Sequence, residues 1–289
     1  MTTSTDKPPL LAAIDFGISN TDIVAQVNGE WRRWTQPYTG QPDPAQVRAI
    51  LAQGGVDLAA LPTLAVTGGR HKLLPARIGD CAIESVGELE AIGRGGQAIV
   101  ARDGEDPTQS LLVVSAGSGT AMIKAHGRSY THVTGTAVGG GTMQGLSRLL
   151  IGTIDPREID VLALAGNSNG VDLSLADVIT GPIGSLPAGA TAVNFGRLAR
   201  EATTPERADL AAGIITLVGQ TIALIAVNAA RSLPTTHVVI TGHLTDMASV
   251  RRVLISVGGF YGQTFHLPAD AGYATALGAL LIVSERTTS

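Results

Sequence analysis

The chain has 289 residues, 44% of them hydrophobic and 15% charged, with a formal net charge of -4. That balance fits a packed protein of one large domain or two half-sized ones and excludes a disordered chain. The negative charge and the 3% aromatic content argue against a nucleic-acid partner, which needs basic surface for phosphates and rings for base stacking.

The first nine residues are polar and end in Lys7-Pro8-Pro9. The apolar run after them is too short for a signal core or a membrane span, so a soluble, cytoplasmic protein is expected. The single cysteine, Cys81, can form no internal disulfide, which fits a reducing compartment. Leu11-Ala12-Ala13-Ile14 reads as a buried strand closed by Asp15-Phe16-Gly17. Thr21 to Val27 and Glu30 to Thr35 read as two further strands around a tight Asn28-Gly29 turn. Asp43-Pro44 opens a helix with Val47, Ile50 and Leu51 on one face, and Gly54-Gly55 stops it. A strand at Leu64 to Thr67 follows, then a helix from Ser85 to Val100 with an interruption expected at Gly95-Gly96.

The same grammar then repeats. Ser110 to Val114, Ala121 to Ala125 and Ser129 to Thr134 read as strands, the last two around His126-Gly127. Helices are predicted at Met143 to Leu150 and Asp155 to Ala165. Leu210 to Ala230 is apolar enough to raise the membrane question, but Gln220, Thr221 and Asn228 mark it as a buried core helix. A strand at His237 to Ile240, a helix from Ala248, a short strand near Thr264 to Leu267 and a helix from Tyr273 to Ser284 complete the chain. Two such units predict two similar α/β lobes, 1–105 and 106–289, divided in the polar stretch Arg102 to Gln109 that carries Gly104 and Pro107.

Three strand ends carry small, hydroxyl-rich turns: Asp15 to Thr21, Ala116 to Thr120 and Thr241-Gly242-His243. Glycine lets a backbone approach an anion, and successive amides cradle phosphate oxygens. A fourth element, Gly139-Gly140-Gly141-Thr142, runs straight into a helix, where free amides and the helix dipole favour an anion. One such turn says little, but four in alternating α/β order point to a nucleotide site. No Walker-type Gly-Lys-Ser/Thr occurs. Asp15 is placed to hold Mg²⁺ through water, and it also reads as a turn-capping aspartate. The histidines show no ligand spacing for zinc.

The segment Val133 to Ser147, with Gly139-Gly140-Gly141-Thr142-Met143-Gln144-Gly145 at its centre, resembles the glycine-rich segment of type II pantothenate kinases, the fumble family. Four further segments resemble the same family in the same order. They are Gly170 to Ile179, Ala192-Val193-Asn194-Phe195-Gly196, Thr241-Gly242-His243-Leu244, and Ala271 to Leu280. The resemblance implies two ribonuclease-H-like lobes of the actin-like ATPase superfold with a nucleotide cleft between them, usually in a homodimer. It implies transfer of a phosphoryl group from ATP-Mg to the hydroxyl of pantothenate, and it leaves room for an acyl-coenzyme A inhibitor.

By the same resemblance, Gly139, Gly140, Gly141, Thr142 and Met143 contact ATP, Ser118, Gly119 and Thr120 face phosphate, and Gly242 lies near the nucleoside. Gly17, Ser19 and Asn20 form the first phosphate turn. The family places a basic glutamate on the helix after the first lobe's central strand, which is Glu88 here, with Glu84 and Glu90 as rivals. His132 stands where the family has an arginine for the substrate acid, beside Gly135 and Thr136, while Arg70, Lys72 or Arg128 are candidates for the missing charge. Ile18 replaces a glycine of the first turn, Ser19 a threonine, and Asp22 stands where a lysine is expected. A negative charge there repels phosphate. Two alternatives follow: a nucleotide or coenzyme A binding module without turnover, and an ATP-linked hydrolase, since Ser19-Asn20-Thr21-Asp22 is similar to hydantoinase subunits.

Overall fold

The computed structural model describes residues 11–38, 40–104, 106, 109–181, 184, 186–202, 204–233, 235 and 237–288. Lys7-Pro8-Pro9 and Pro107, which carried expectations above, lie outside them. The chain packs as two units. One comprises the chain up to Gln109 with Ile123–His132 and the stretch from Gly272, and the other Ser110–Met122 with Val133–Ala271.

In the first unit, β1 (Leu11–Phe16), β2 (Asn20–Val27) and β3 (Glu30–Pro37) form the expected antiparallel meander. Asn28 and Gly29 turn between β2 and β3 with φ of 53° and 85°, the left-handed pair that a two-residue hairpin requires. Helix α1 (Pro44–Gln53) is capped by Asp43, whose carboxylate accepts from the Gln46 amide, and it stops at Gly54. Strand β4 (Thr63–Thr67) lies parallel to β1. A hairpin of β5 (Arg77–Ile78) and β6 (Cys81–Ser85) follows, with β6 parallel to β4. The sheet order is β3-β2-β1-β4-β6-β5. Side chains alternate along β1: Ala12, Ile14 and Phe16 join Val47, Ile50 and Leu51 in one core, and Ala13 joins Ala276, Ala279 and Leu280 in another. Helix α2 (Glu88–Arg102) starts three residues later than expected, because Ser85 ends β6, and it runs unbroken through Gly95-Gly96.

Strands β7 (Leu111–Ala116), β8 (Thr120–His126) and β9 (Ser129–Thr136) repeat the meander; β7, the start of β8 and the end of β9 belong to the second unit, and Ile123–His132 around the turn to the first. They lead into α3 (Gly140–Ile151) and α4 (Pro156–Ala165). Next come β10 (Leu173–Ser174), α5 (Leu175–Val178) and β11 (Thr191–Val193), a small insertion without a sequence signal strong enough to predict it. Helix α6 (Arg207–Arg231), β12 (His237–Thr241) and α7 (Ala248–Phe260) complete the unit. The sheet order is β12-β7-β8-β9, with β12 parallel to β7, so it matches β4-β1-β2-β3 of the first sheet. The apolar window of α6 is long enough to cross a membrane, yet 67% of it is buried. It is a core helix, packed among Leu112, Val114 and Ile240 of the sheet and Val250 and Leu254 of α7. The strand expected near Thr264 is reduced to one bridge, Val239 with His266.

The chain then returns to the first unit as α8 (Ala274–Thr288). Helices α2 and α8 meet backbone to backbone. A Cβ on Gly95 would lie 2.0 Å from the Ala274 carbonyl oxygen, and one on Gly278 1.9 Å from that of Ala91. That close approach is why glycines stand in the middle of α2, where they otherwise weaken a helix.

Candidate active site

Three parallel strands of the first sheet, β1, β4 and β6, end at one edge, and each carries a polar residue at its end or one short of it: Asp15 before the terminal Phe16 of β1, Thr67 closing β4 and Ser85 closing β6. Ligands of open α/β sheets bind at this carboxyl edge. The turn after β1 needs its glycine, because a Cβ on Gly17 would lie 2.6 Å from the Asn20 carbonyl oxygen. Ser19 accepts the Tyr38 amide at its carbonyl, and Ile18 projects from the turn 78% exposed. Gly68, with φ of +93°, follows β4 and leaves room for Asp15, since a Cβ there would sit 2.6 Å from Asp15 Oδ1.

The next contact inward is one that spacing gave no sign of. His71 is buried, with Nδ1 2.5 Å from the Gly68 carbonyl and Nε2 2.5 Å from Ser85 Oγ. A carbonyl can only accept, so Nδ1 donates to Gly68, and Nε2 is paired with the Ser85 hydroxyl. Asp15, Gly68, His71 and Ser85 thus form one contiguous edge, and Glu88 opens the helix that follows it.

Glu88 is exposed in the first turn of α2, where the helix dipole favours a carboxylate. Its rival Glu90 faces Arg286 of α8 at 3.6 Å, and Glu84 is exposed on β6. Arg70 donates to the Tyr38 hydroxyl at 2.8 Å, and Lys72 is exposed beside it. Arg128 lies 3.7 Å from Glu285, which Arg94 also pairs at 2.7 Å. His132 is exposed on β9.

Across the first sheet runs a transverse polar row. Thr35 stands opposite Asp22, Asp22 opposite Asp15, and Asp15 in register with Thr67. Asp22 is 8% exposed and accepts from Thr35 Oγ1 at 2.6 Å. Thr67 is fully buried, and its hydroxyl has no hydrogen-bond partner.

In the second unit the turn after β7 packs directly on the start of α3. A Cβ on Gly139 would lie 2.7 Å from the Ser118 carbonyl oxygen and 2.8 Å from that of Gly117. Gly140 donates its amide to Gly117 and Gly141 to Ser118, at 2.8 and 2.9 Å. The glycine run therefore does not present a row of free amides: two of them hold the two turns together. Thr120, expected to face phosphate, is buried and donates its hydroxyl to the Val138 carbonyl at 2.9 Å, while Thr136 Oγ1 accepts the Val138 amide. Ser118, Gly119 and Thr142 are partly exposed at this junction, Gly135 is exposed, and Met143 fills the core beneath.

Gly242 has φ of +98°, and a Cβ there would meet the Ala116 carbonyl oxygen at 2.2 Å. Its amide donates to Ala271 at 3.0 Å, tying the end of β12 to the start of the last family-like segment. Asp172 does the same for two others: it accepts the Phe195 amide at 2.7 Å and the Thr191 hydroxyl at 3.0 Å. Burial pushes its carboxyl above the usual range, and these hydrogen bonds pull it partly back.

The segments that these glycines and Asp172 join coincide with a known family. A model described as Fumble matches residues 96–282, well over half the chain. The chain belongs to the Fumble family, the type II pantothenate kinases. It is thus an enzyme of the kinase class. A type II pantothenate kinase of Bacillus cereus (strain G9842) is 27% identical over 220 residues, 75% of this chain and 80% of that protein. One from Oceanobacillus iheyensis is 29% identical over 217 residues, with the same shares covered. Among solved structures, the activator of the 2-hydroxyisocaproyl-CoA dehydratase from Clostridium difficile, with bound ADPNP, aligns with a TM-score of 0.65 at 14% identity, covering 96% of each chain. A ROK family glucokinase from Streptomyces griseus, in complex with glucose and AMPPNP, aligns at 0.61 and 10% identity over 94% of this chain and 98% of the other. At these identities the structural matches establish the shared fold of this Fumble protein, the actin-like, sugar-kinase α/β fold.

Proposed function

We propose that this Fumble-family protein transfers the γ-phosphoryl group of ATP to the hydroxyl of pantothenate or a hydroxy acid of that shape. The observation that carries the reading is the backbone junction of the Gly117–Gly119 turn with Gly139–Gly141, in the segment that the family shares. In this reading the exposed rim of that junction, Ser118, Gly119, Thr142 and the Gly242 turn, takes the nucleotide, while the buried amides set its shape. Gly17, Ser19 and Asn20 take phosphate oxygens. Asp15 holds Mg²⁺, which when bound would neutralise charge on the phosphates. The fit is to a hard cation: the donors beside Asp15 are carboxylate and hydroxyl oxygens, one of them the orphaned Thr67 hydroxyl.

Glu88 orients the acceptor hydroxyl and takes its proton; its carboxylate is exposed at the start of α2. His132, Gly135 and Thr136, with Arg70, are assigned to the acceptor acid. The homodimer belongs to the same reading and is supported by Leu149 and Val161, exposed by 81% and 68% on α3 and α4. A cytoplasmic location and inhibition by acyl-coenzyme A are further parts of it.

The test is ADP release on adding pantothenate to enzyme and ATP-Mg. Glu88→Gln is expected to lower kcat by roughly 10²–10⁴-fold, while the thermal shift induced by ATP persists. Wild-type turnover in that variant would remove Glu88 from the role of base. Asp22, buried where a lysine was expected, favours a second reading as a nucleotide-binding module. An ATP thermal shift without turnover on any hydroxy acid is its signature, and turnover only with a cyclic amide would indicate an ATP-linked hydrolase.

A further inference from the structure

We propose that Asp15, Asp22 and Thr67 form one divalent-cation site, able to hold Mg²⁺ or Mn²⁺ before any nucleotide arrives. The inference deepens the kinase reading by building its metal site from residues beyond Asp15, and it replaces an expected phosphate-binding lysine with a second carboxylate.

The geometry comes from strand register. Asp15 and Asp22 are directly opposed across the antiparallel β1–β2 pair, and Asp15 and Thr67 are in register across the parallel β1–β4 pair. Partners in register project from the same face of a sheet, so the three side chains adjoin in one row. The row lies on the face that carries Ala13, Val24 and Ala65 deeper in the sheet, and it stands at the carboxyl edge of β1 and β4. Thr35 fixes one carboxylate of the row by its 2.6 Å hydrogen bond to Asp22 Oδ1.

Two carboxylates alone do not make a site. The independent observation is Thr67: its hydroxyl is fully buried, beside Asp15, with no hydrogen-bond partner. A buried hydroxyl left unsatisfied is destabilising, and a cation on this row gives its lone pairs a partner. Gly68 keeps the space above Asp15 Oδ1 open, where any side chain would intrude. Among the described residues no group of three His, Cys, Asp or Glu is placed to hold a metal, so the row is no closed cage. Mg²⁺ does not require one: it is usually bound by one or two carboxylates, retaining water and positions for phosphate oxygens. At the position of Asp22 a lysine would meet the phosphates as a fixed charge. In this chain the same attraction is supplied by a cation held over Asp15, the middle of the row, with Asp22 on one side and Thr67 on the other.

The experiment is a Mn²⁺ titration of the nucleotide-free full chain, following free Mn²⁺ by electron paramagnetic resonance, with Mg²⁺ as competitor. One saturable site per chain is expected, displaced by Mg²⁺. Asp22→Asn, close in shape, is expected to weaken it by at least about tenfold, and Thr67→Val measurably, with Thr67→Ser restoring affinity. Asp22→Lys is expected to abolish the site. No saturable site in the wild type, or Asp22→Asn and Thr67→Val both at wild-type affinity, would overturn the proposal. Turnover is not read, so absence of pantothenate phosphorylation leaves this result unaffected, and absence of Mn²⁺ binding leaves the kinase reading to its own assay.

Discussion

At position 139 a single methyl group has nowhere to go. Its φ of -178° is ordinary extended backbone, so the demand for glycine there comes from contact alone, with the Ser118, Gly117 and Gly119 backbone all within 2.9 Å of a Cβ. Gly139→Ala is therefore expected to push the two turns apart, abolishing the ATP thermal shift while destabilising the protein by only about 1–3 kcal/mol in urea unfolding. Asp172 carries a different load. Truncating it leaves the Phe195 amide without its acceptor, and Asp172→Ala is expected to cost about 1–3 kcal/mol, read as a shift of the urea midpoint.

Among the elements, the α2–α8 pair is the most tightly constrained. Ala91 and Gly95 on one helix and Ala274 and Gly278 on the other let the backbones touch, and Ala276, Ala279 and Leu280 then cover Ala13, Val24 and Ala65 of the sheet. Gly278→Val forces the pair apart, with an expected loss of about 3 kcal/mol or more in denaturant unfolding. Because α2 begins at Glu88, displacing it also moves the proposed base, so ADP release should fall further than stability alone explains. Helix α6 shows the opposite regime. Most of its apolar surface is consumed by packing, and the stripe left partly exposed carries Gln220, Thr221 and Asn228, which lets a 25-residue helix of membrane-like composition serve as the centre of a core.

For the molecule as a whole, the two sheets share one connectivity: an antiparallel meander whose first strand takes a parallel neighbour on its other side. The first unit is nevertheless incomplete without the end of the chain, since α8 covers one face of its sheet. Ending the chain at Asp270 should expose that face and unfold the first unit. Both tryptophans, Trp31 and Trp34, lie on β3, so the expected readout is a red shift of tryptophan fluorescence in the truncated protein. Retention of the wild-type spectrum would show that the unit holds without α8.

Local chemistry determined much of this protein in the sequence alone. The Asn28-Gly29 turn, the Asp43-Pro44 and Asp155-Pro156 helix starts and the repeated strand meander are legible because each depends on residues a few positions apart. Five short segments were likewise enough to identify the family. What remained hidden depends on partners distant in the chain. Gly95 reads as a helix breaker until Ala274, far along the sequence, is seen to need its surface. His71 and Thr67 gave no signal because the one pairs with Ser85 and the other stands beside Asp15 only through strand register. The glycine run at 139–141 read as an open anion nest, and only the fold shows two of its amides already bonded to the turn at 117–118. Short-range backbone preference is written in neighbouring residues, whereas which polar group meets which is decided when the sheets close.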